Sequence, residues 1–188
     1  CMVHFAVDDQ TVMFCTKLAG TDSWFLPFNK GYKDGAGNPP NPDGIMTDYL
    51  WKDILTKQKL SRIIENYAQI VVDEDPDTKK KTVKQIWPRY HQLDCVEKLL
   101  ADVKENGIGK RYLVQHSAGS GKSNSIAWLA HQLIGLMQDG RPMIDSVIVV
   151  TDRRILDKQI RDTIKQFMQV KSTFQWAQHA GDLRKAIQ

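Results

Sequence analysis

The first part of the chain contains short stretches in which apolar and polar residues alternate, a pattern typical of β-strands. Residues 2–18 predict two short strands around the turn 8-DDQT-11. The stretch 24-WFLPF-28 predicts a third strand, which Pro27 interrupts. Half of the positions from 31 to 44 are Gly or Pro, so we expect a loop and a domain boundary there.

A helical spacing of apolar residues follows, from Thr47 to Ala68. It predicts one broken helix or two short ones, with Thr47 as a plausible helix cap. The run 73-DEDPDTKKK-81 predicts a charged surface loop. The short segment 83-VKQIW-87 comes next and leads into another helical pattern.

The rest of the chain alternates between apolar runs and amphipathic stretches. Strand, helix, strand, helix in that order predicts an α/β fold with a parallel sheet and right-handed crossovers. In chain order the predicted elements are a helix over 89–106 that Gly107 ends, a strand over 111–115, a helix from about Lys122 to Met137, a strand over 146–150 and a helix from about Arg153 to Met168.

Composition and charge set limits on the class of protein. The 188 residues are 41% hydrophobic and 26% charged, which is typical of a soluble globular protein. No apolar run approaches the ~20 residues of a membrane span and no secretory signal is visible, so we expect a cytoplasmic protein. The three cysteines lack the paired spacing of zinc sites, and the net charge of +4 permits nucleic-acid binding without requiring it. Because the chain begins at Cys1 with a strand pattern, we expect an internal fragment of a longer protein.

The most informative stretch is 116-HSAGSGKS-123, which fits the pattern G-x-x-x-x-G-K-[ST] except that His116 replaces the first glycine. In such a loop, backbone N–H groups converge on a phosphate and the helix N-terminus adds partial positive charge. Lys122 would reach the β- and γ-phosphates, and the Ser123 hydroxyl would bind Mg²⁺. The residues expected to hold the triphosphate of ATP are Ser117, Ala118, Gly119, Ser120, Gly121, Lys122 and Ser123. The alternative is a glycine turn that caps a helix, with Lys122 merely exposed.

A candidate for base recognition lies upstream, in 87-WPRYHQ-92. The amide of Gln92 offers one donor and one acceptor, the pair that matches adenine N7 and N6. Arg89 and Tyr90 are placed to stack or pair nearby. The alternative is an exposed glutamine on an amphipathic helix.

Asp152 follows an apolar run, as the metal-binding acid of a nucleotide hydrolase does. Two arginines and a helix follow it at once, and no second acid stands beside it, which argues against a metal role. The helix has a basic face opposite an apolar face of Leu156, Ile160 and Ile164, and a basic face suits a DNA backbone. The alternative is an ordinary solvated face. Its basic residues, at spacings of four, three and four, are Arg154, Lys158, Arg161 and Lys165.

Three segments together resemble the restriction (R, or HsdR) subunit of type I restriction-modification enzymes, a superfamily-2 helicase-like DNA translocase. They are 89-RYHQ-92, 116-HSAGSGKS-123 and 151-TDRRILDKQI-160. In that family the first is the adenine-contacting element, which implicates Gln92 and Arg89. The second is helicase motif I, in which R subunits typically have the histidine. The third resembles motif Ia, and the resemblance favours a DNA-side role for Thr151, Asp152, Arg153 and Gln159.

The resemblance extends to the front of the chain and implies three parts. Residues 1–44 are similar to the last strands of the N-terminal nuclease domain plus a loop, residues 45–81 to a helical connector, and residues 82–188 to the front half of the first RecA-like ATP-binding lobe. An R subunit uses ATP and Mg²⁺ to translocate double-stranded DNA and cleaves it, in complex with methylation (M) and specificity (S) subunits. The resemblance therefore implies those cofactors and partners.

The chain also lacks motifs that such an enzyme needs. No Glu is followed two residues later by Lys, and the Asp-x-Lys spacings at Asp77 and Asp102 fall in a predicted loop and a predicted helix. The D-E-x-H box is absent too, so we expect no catalytic residue and neither ATPase nor nuclease activity from this chain alone. Two alternatives stay open: a self-contained P-loop kinase or NTPase with Asp152 as metal acid, and a non-catalytic DNA- or protein-binding module.

Overall fold

The computed structural model describes residues 1–74, 78–152, 154–167, 175–177 and 179–187. The chain divides into two compact units, Cys1–Cys95 and Val96–Gln188, which are described separately. The described residues form a mixed α/β structure in which each of the small sheets is antiparallel.

The first unit begins with a three-stranded sheet in the order β1 (His4–Val7), β2 (Val12–Cys15) and β3 (Leu26–Pro27). All three strands were predicted and are confirmed. The turn between β1 and β2 is closed by the Asp8 carboxylate, which accepts hydrogen bonds from the backbone N–H of Gln10 at 2.8 Å and of Thr11 at 2.7 Å.

The glycine- and proline-rich segment over 31–44 is tied to this sheet by Asn38, whose side chain is 5% exposed. Its Oδ1 accepts from the Lys30 N–H at 2.8 Å, and its Nδ2 donates to the Gln10 carbonyl at 2.8 Å and to Asn29 Oδ1 at 2.9 Å. One buried amide therefore satisfies several polar groups of the loop, which fixes the path of a segment that has no regular ladder.

The segment from 47 to 68 forms a π-helix (Leu50–Ile54) and then helix α1 (Lys57–Asn66), so the prediction of two short helices is confirmed. The prediction that Thr47 caps a helix is wrong. Its hydroxyl instead donates to the Asp8 carbonyl at 2.6 Å. The cap of α1 is Thr56, whose hydroxyl accepts from the Lys59 N–H at 3.4 Å.

A hairpin flanks the predicted charged loop over 73–81, and only the ends of that run, Asp73, Glu74 and Lys81, lie in its strands. Residues 75–77 of the run lie outside the described residues. Strands β4 (Gln69–Glu74) and β5 (Lys81–Ile86) pair antiparallel, and Glu74 lies opposite Lys81. Ile70, Val72 and Val83 share one face of the hairpin and are exposed. The β-branched residues of both strands favour this pairing.

Helix α2 (Tyr90–Asn106) matches the predicted helix, and Gly107, with a φ of 77°, follows its last residue as expected. In the second unit, helix α3 (Lys122–Ile134) packs against helix α4 (Arg154–Phe167). The fully buried Trp128 lies on α3, and Ile160 and Ile164 form the buried side of α4, as their spacing predicts. The remaining elements are the two-residue strands β6 (Met137–Gln138) and β7 (Arg141–Pro142), which pair with each other, and helix α5 (Ala180–Ile187).

The predicted strands over 111–115 and 146–150 are not strands in this structure, and no two strands of the described residues pair parallel. Both segments lie at the surface, with Leu113 93% exposed and Val150 86% exposed. A strand exists only where a neighbour supplies its hydrogen bonds, and these two segments do not pair with each other. Their apolar composition is therefore not enough to form a sheet.

Candidate nucleotide-binding site

The loop over 116–123 takes a conformation that depends on its glycines. Gly119 has a φ of 72° and Gly121 has φ 81° and ψ 34°, both in the left-handed region that side chains with a Cβ disfavour. Gly121 is also the N-cap of α3, and it provides no side-chain hydrogen bond to the first turn of the helix. Within the loop, Ser120 is buried and its N–H points to the Ser117 carbonyl at 3.4 Å.

Lys122 is the first residue of α3, and its ammonium group folds back across the loop. Its Nζ donates to the carbonyl oxygens of His116 at 3.1 Å and Ser117 at 2.7 Å. The first N–H groups of a helix have no intrahelical acceptor, and they carry the positive end of the helix dipole. Left-handed glycines, a helix N-terminus and an ammonium group therefore meet in eight residues, which is the chemistry of an anion site.

The Ser123 side chain is half-buried in the first turn of α3, one residue after the lysine. A hydroxyl in this position suits Mg²⁺, which prefers oxygen ligands and shares them with nucleotide phosphates. No group of three or more His, Cys, Asp or Glu side chains suited to a metal ion occurs in the part of the chain that the structure describes.

The segment leading into the loop is held by Asp102, a contact that sequence patterns did not indicate. The Asp102 carboxylate accepts hydrogen bonds from Lys110 Nζ at 2.6 Å, from the Tyr112 hydroxyl and from Asn106 Nδ2 at 2.9 Å. The Lys110 ammonium and then the Tyr112 hydroxyl lower the pKa of Asp102, whereas the carboxylate raises the pKa of Tyr112. Asp102 thus anchors the chain four residues before His116.

Gln92 is a buried cap in the first unit. Its side chain is 3% exposed, and its Oε1 accepts from the backbone N–H of Arg89 at 2.9 Å. Arg89 immediately precedes α2, so Gln92 takes the third helical position, from which a glutamine reaches back to the cap. The alternative of an exposed glutamine is therefore wrong.

Residues 151–165 contain the expected DNA-side residues. Thr151 is half-buried, Asp152 is exposed, and Lys158 and Lys165 are exposed on α4. Arg153 lies outside the described residues, and so do the side chains of Arg154, Leu156 and Gln159.

Arg161 differs from the lysines of its helix. Its guanidinium group lies 4.2 Å from the ring centroid of Trp176, and 17% of its side chain is exposed. The predicted uniform basic face is therefore divided, with two lysines in solvent and an arginine stacked on an aromatic ring. No helical or strand pattern in the sequence links Trp176 to α4.

The sequence of the chain matches a known protein family. The family model described as SWI2/SNF2 ATPase matches residues 91–188. The chain belongs to the SWI2/SNF2 ATPase family. The matched residues include Gln92, the loop over 116–123 and helix α4, so each candidate element of this SWI2/SNF2 ATPase, apart from Arg89, falls inside the family match.

A curated relative of this SWI2/SNF2 ATPase is the "Type I restriction enzyme HindI endonuclease subunit" of Haemophilus influenzae. It is 29% identical over 127 residues, which cover 65% of this chain and 12% of the relative. The chain thus spans about one eighth of the length of that relative. No solved structure matches. The two matches confirm the resemblance to a helicase-family sequence of the R-subunit kind. In the described ranges, no helix is both long and apolar enough to span a membrane.

Proposed function

We propose that this chain is the ATP-binding part of a DNA translocase of the type I restriction R-subunit kind. The single observation that carries the proposal is the loop over 116–123, where two left-handed glycines and Lys122 open helix α3. The family match supports ATP as the nucleotide, because it describes an ATPase and contains the loop. The name of the curated relative supports restriction of DNA as the wider process.

Each residue of the loop has a proposed role toward Mg²⁺-ATP. The backbone of Ser117–Gly121 surrounds the phosphates, and the Lys122 ammonium moves from the His116 and Ser117 carbonyls to the terminal phosphates. The Ser123 hydroxyl binds the metal. When bound at Ser123, Mg²⁺ would supply positive charge that neutralises the phosphates. The positive end of α3 stabilises the remaining negative charge.

We further propose that Gln92 contacts adenine, with Arg89 beside it. The Gln92 Oε1 accepts the Arg89 N–H, and in this proposal the same amide accepts from adenine N6 and donates to adenine N7. This assigns two tasks to one side chain, capping α2 and selecting the base. Both tasks use the same orientation of the Gln92 amide, because the hydrogen bond that caps α2 also holds the amide toward the base in this proposal.

The wider architecture follows the R-subunit resemblance. In this proposal residues 1–44 end a nuclease domain, residues 45–81 connect it to the motor, and residues 82–188 begin a RecA-like lobe. Thr151–Arg154, Lys158, Gln159 and Arg161 face double-stranded DNA, and M and S subunits complete the complex. We propose that the chain alone neither hydrolyses ATP nor cuts DNA.

The experiment that tests this function is a calorimetric titration of the 188-residue chain with Mg²⁺-ATP and Mg²⁺-GTP. We expect weak ATP binding, with a Kd of about 100 µM or poorer, corresponding to about 5 kcal/mol. Lys122→Ala should abolish measurable binding. Lys57→Ala is the matched control, since Lys57 is also an exposed lysine at the first position of a helix and should leave binding unchanged.

The two tasks of Gln92 can be separated by comparing Gln92→Glu with Gln92→Ala. A glutamate at the third helical position still accepts the Arg89 N–H, but it offers no N–H donor to adenine N7. We expect Gln92→Glu to keep the thermal stability of the wild type and to lose the preference for ATP over GTP. Gln92→Ala should lose both. ATP binding that survives Lys122→Ala, or robust ATP hydrolysis by the chain, would contradict the proposal.

A further inference from the structure

The first turn of α2 is attached to the N-terminal sheet by a group of aromatic rings. Tyr90, the first residue of α2, has its ring 5.8 Å from that of Phe28 and 5.4 Å from that of Tyr49, measured between centroids. The interplanar angles are 88° and 77°, so both contacts are edge-to-face. This is the favoured arrangement of aromatic pairs, and it restricts rotation as well as separation.

The two partners of Tyr90 are themselves fixed. Phe28 is fully buried, its N–H donates to the Val12 carbonyl of β2 at 2.8 Å, and its ring packs edge-on against Phe14 and Phe5. The Tyr49 hydroxyl donates to the Phe28 carbonyl at 2.8 Å. Burial raises the pKa of Tyr49, so that hydroxyl keeps its proton and remains a donor.

Gln92 lies two residues after Tyr90 in the same helical turn. Its Oε1 accepts a hydrogen bond from the Arg89 N–H, and its backbone N–H donates to the Arg89 carbonyl at 3.1 Å. Arg89, Tyr90 and Gln92 therefore form one closed turn with little internal freedom. A shift of the Tyr90 ring rotates the whole turn and moves the Gln92 amide with it.

We propose that Tyr90 is a positioning residue for base recognition, and that the three-stranded sheet sets the orientation of the Gln92 amide through Phe28 and Tyr49. This inference rests on the proposed contact between Gln92 and adenine. It adds that base preference depends on packing with residues far earlier in the sequence. A change in the sheet would then alter discrimination between ATP and GTP without any change in the phosphate loop.

The test is the ratio of GTP to ATP dissociation constants in Tyr90→Leu, Tyr90→Phe and the wild type. Leucine removes the edge-to-face contacts but retains apolar volume and helix propensity, whereas phenylalanine retains the ring. We expect the ratio to fall about tenfold in Tyr90→Leu, the size of one lost amide–base contact. GTP affinity should stay at the wild-type value, because GTP does not use that contact, and Tyr90→Phe should keep the full ratio.

Tyr32→Leu is the control, since Tyr32 is an exposed tyrosine of the same unit outside the aromatic group, and its ratio should not change. If Tyr90→Leu fails to fold by circular dichroism, Tyr49→Phe replaces it. That variant removes only the hydroxyl that holds Phe28. A reduced ratio in Tyr49→Phe supports the inference and an unchanged ratio overturns it.

The failure of this inference differs from the failure of the proposed function. If Gln92→Glu loses the base preference and a folded Tyr90→Leu keeps it, Gln92 selects the base but the sheet does not position it. Equal losses of ATP and GTP affinity in Tyr90→Leu also overturn the inference, because the phosphate site is then affected. If the wild type does not prefer ATP, or Gln92→Glu retains the preference, base recognition by Gln92 fails and this inference fails with it.

Discussion

Replacing Gly119 by alanine isolates the contribution of the loop's backbone conformation. Gly119 has a φ of +72°, and a Cβ added there would meet no other atom within 4 Å. Because space is available, the cost of the substitution is the left-handed backbone itself, about 1–2 kcal/mol. In the free variant, the exposed loop relieves this strain by changing conformation. The free-energy cost then appears in ligand binding, because a ligand that requires the original loop conformation must restore it.

The size of the effect on ATP binding follows from that strain. If ATP binds only the conformation with Gly119 in the left-handed region, the alanine variant must restore it at a cost of about 1–2 kcal/mol, and its affinity falls about 5- to 30-fold. The assay is a titration with a fluorescent ATP analogue, supported by circular dichroism to establish that helix content is unchanged. Lys122 and every other side chain of the loop remain in place.

Gly135→Ala is the matched control, because Gly135 ends the same helix that the loop begins. Its φ is −81°, and an added Cβ would lie 3.5 Å from the Gln132 carbonyl, an ordinary contact. We expect this variant to bind ATP as the wild type does. An unchanged affinity in Gly119→Ala would refute the reasoning, since the loop would then bind nucleotide without its left-handed glycine or would not be the binding site.

Two further expectations concern charged groups of the second unit. Hydrogen bonds lower the pKa of Asp102 from its usual 3.8, so its carboxylate stabilises the fold above that value and loses this effect as the pH falls through the lowered pKa. Asp102→Asn should therefore have a lower Tm than the wild type at neutral pH, and the two Tm values should converge as the pH falls below the lowered pKa of Asp102. An equal gap at neutral and at acidic pH would show that the charge is not responsible. Replacing Lys158 and Lys165 together by alanine should weaken binding to duplex DNA and reduce the slope of log Kd against log salt by about 2, whereas Lys57→Ala should leave the slope unchanged. A slope that stays at the wild-type value in the double variant would exclude these lysines from the DNA contact.

The sequence predicted those features of the candidate site that depend on near neighbours. Left-handed glycines, a lysine at the start of a helix and a hydroxyl after it are all set within eight residues, and the structure has them as the spacing indicates. The role of Gln92 was missed for a related reason. A capping glutamine is recognisable in a sequence when Ser or Thr precedes it by three positions. Here that position is Arg89, which takes part in the cap only through its backbone N–H.

Features that depend on distant partners could not be predicted. Thr47 and Thr56 both precede helical patterns, and only the contact between Thr47 and the Asp8 carbonyl, 39 positions away, decides which one caps a helix. The hairpin of β4 and β5 was hidden because charge in the sequence suggested a loop, although Glu74 pairs across the hairpin with Lys81. The segments over 111–115 and 146–150 have the composition of buried strands, yet composition does not supply a neighbouring strand.

Helices α1, α2 and α3 differ in how their N-termini are satisfied, and this difference supports the choice of α3 for phosphate. Helix α1 is closed by the Thr56 hydroxyl, and the N-terminus of α2 is closed by the Gln92 amide. Gly121 at the start of α3 has no side chain to accept a hydrogen bond. A serine or aspartate there would satisfy the first-turn N–H groups and would also occupy the position of an anion. Glycine gives up the capping energy, and the Lys122 ammonium at the same helix start adds the positive charge to which a phosphate binds.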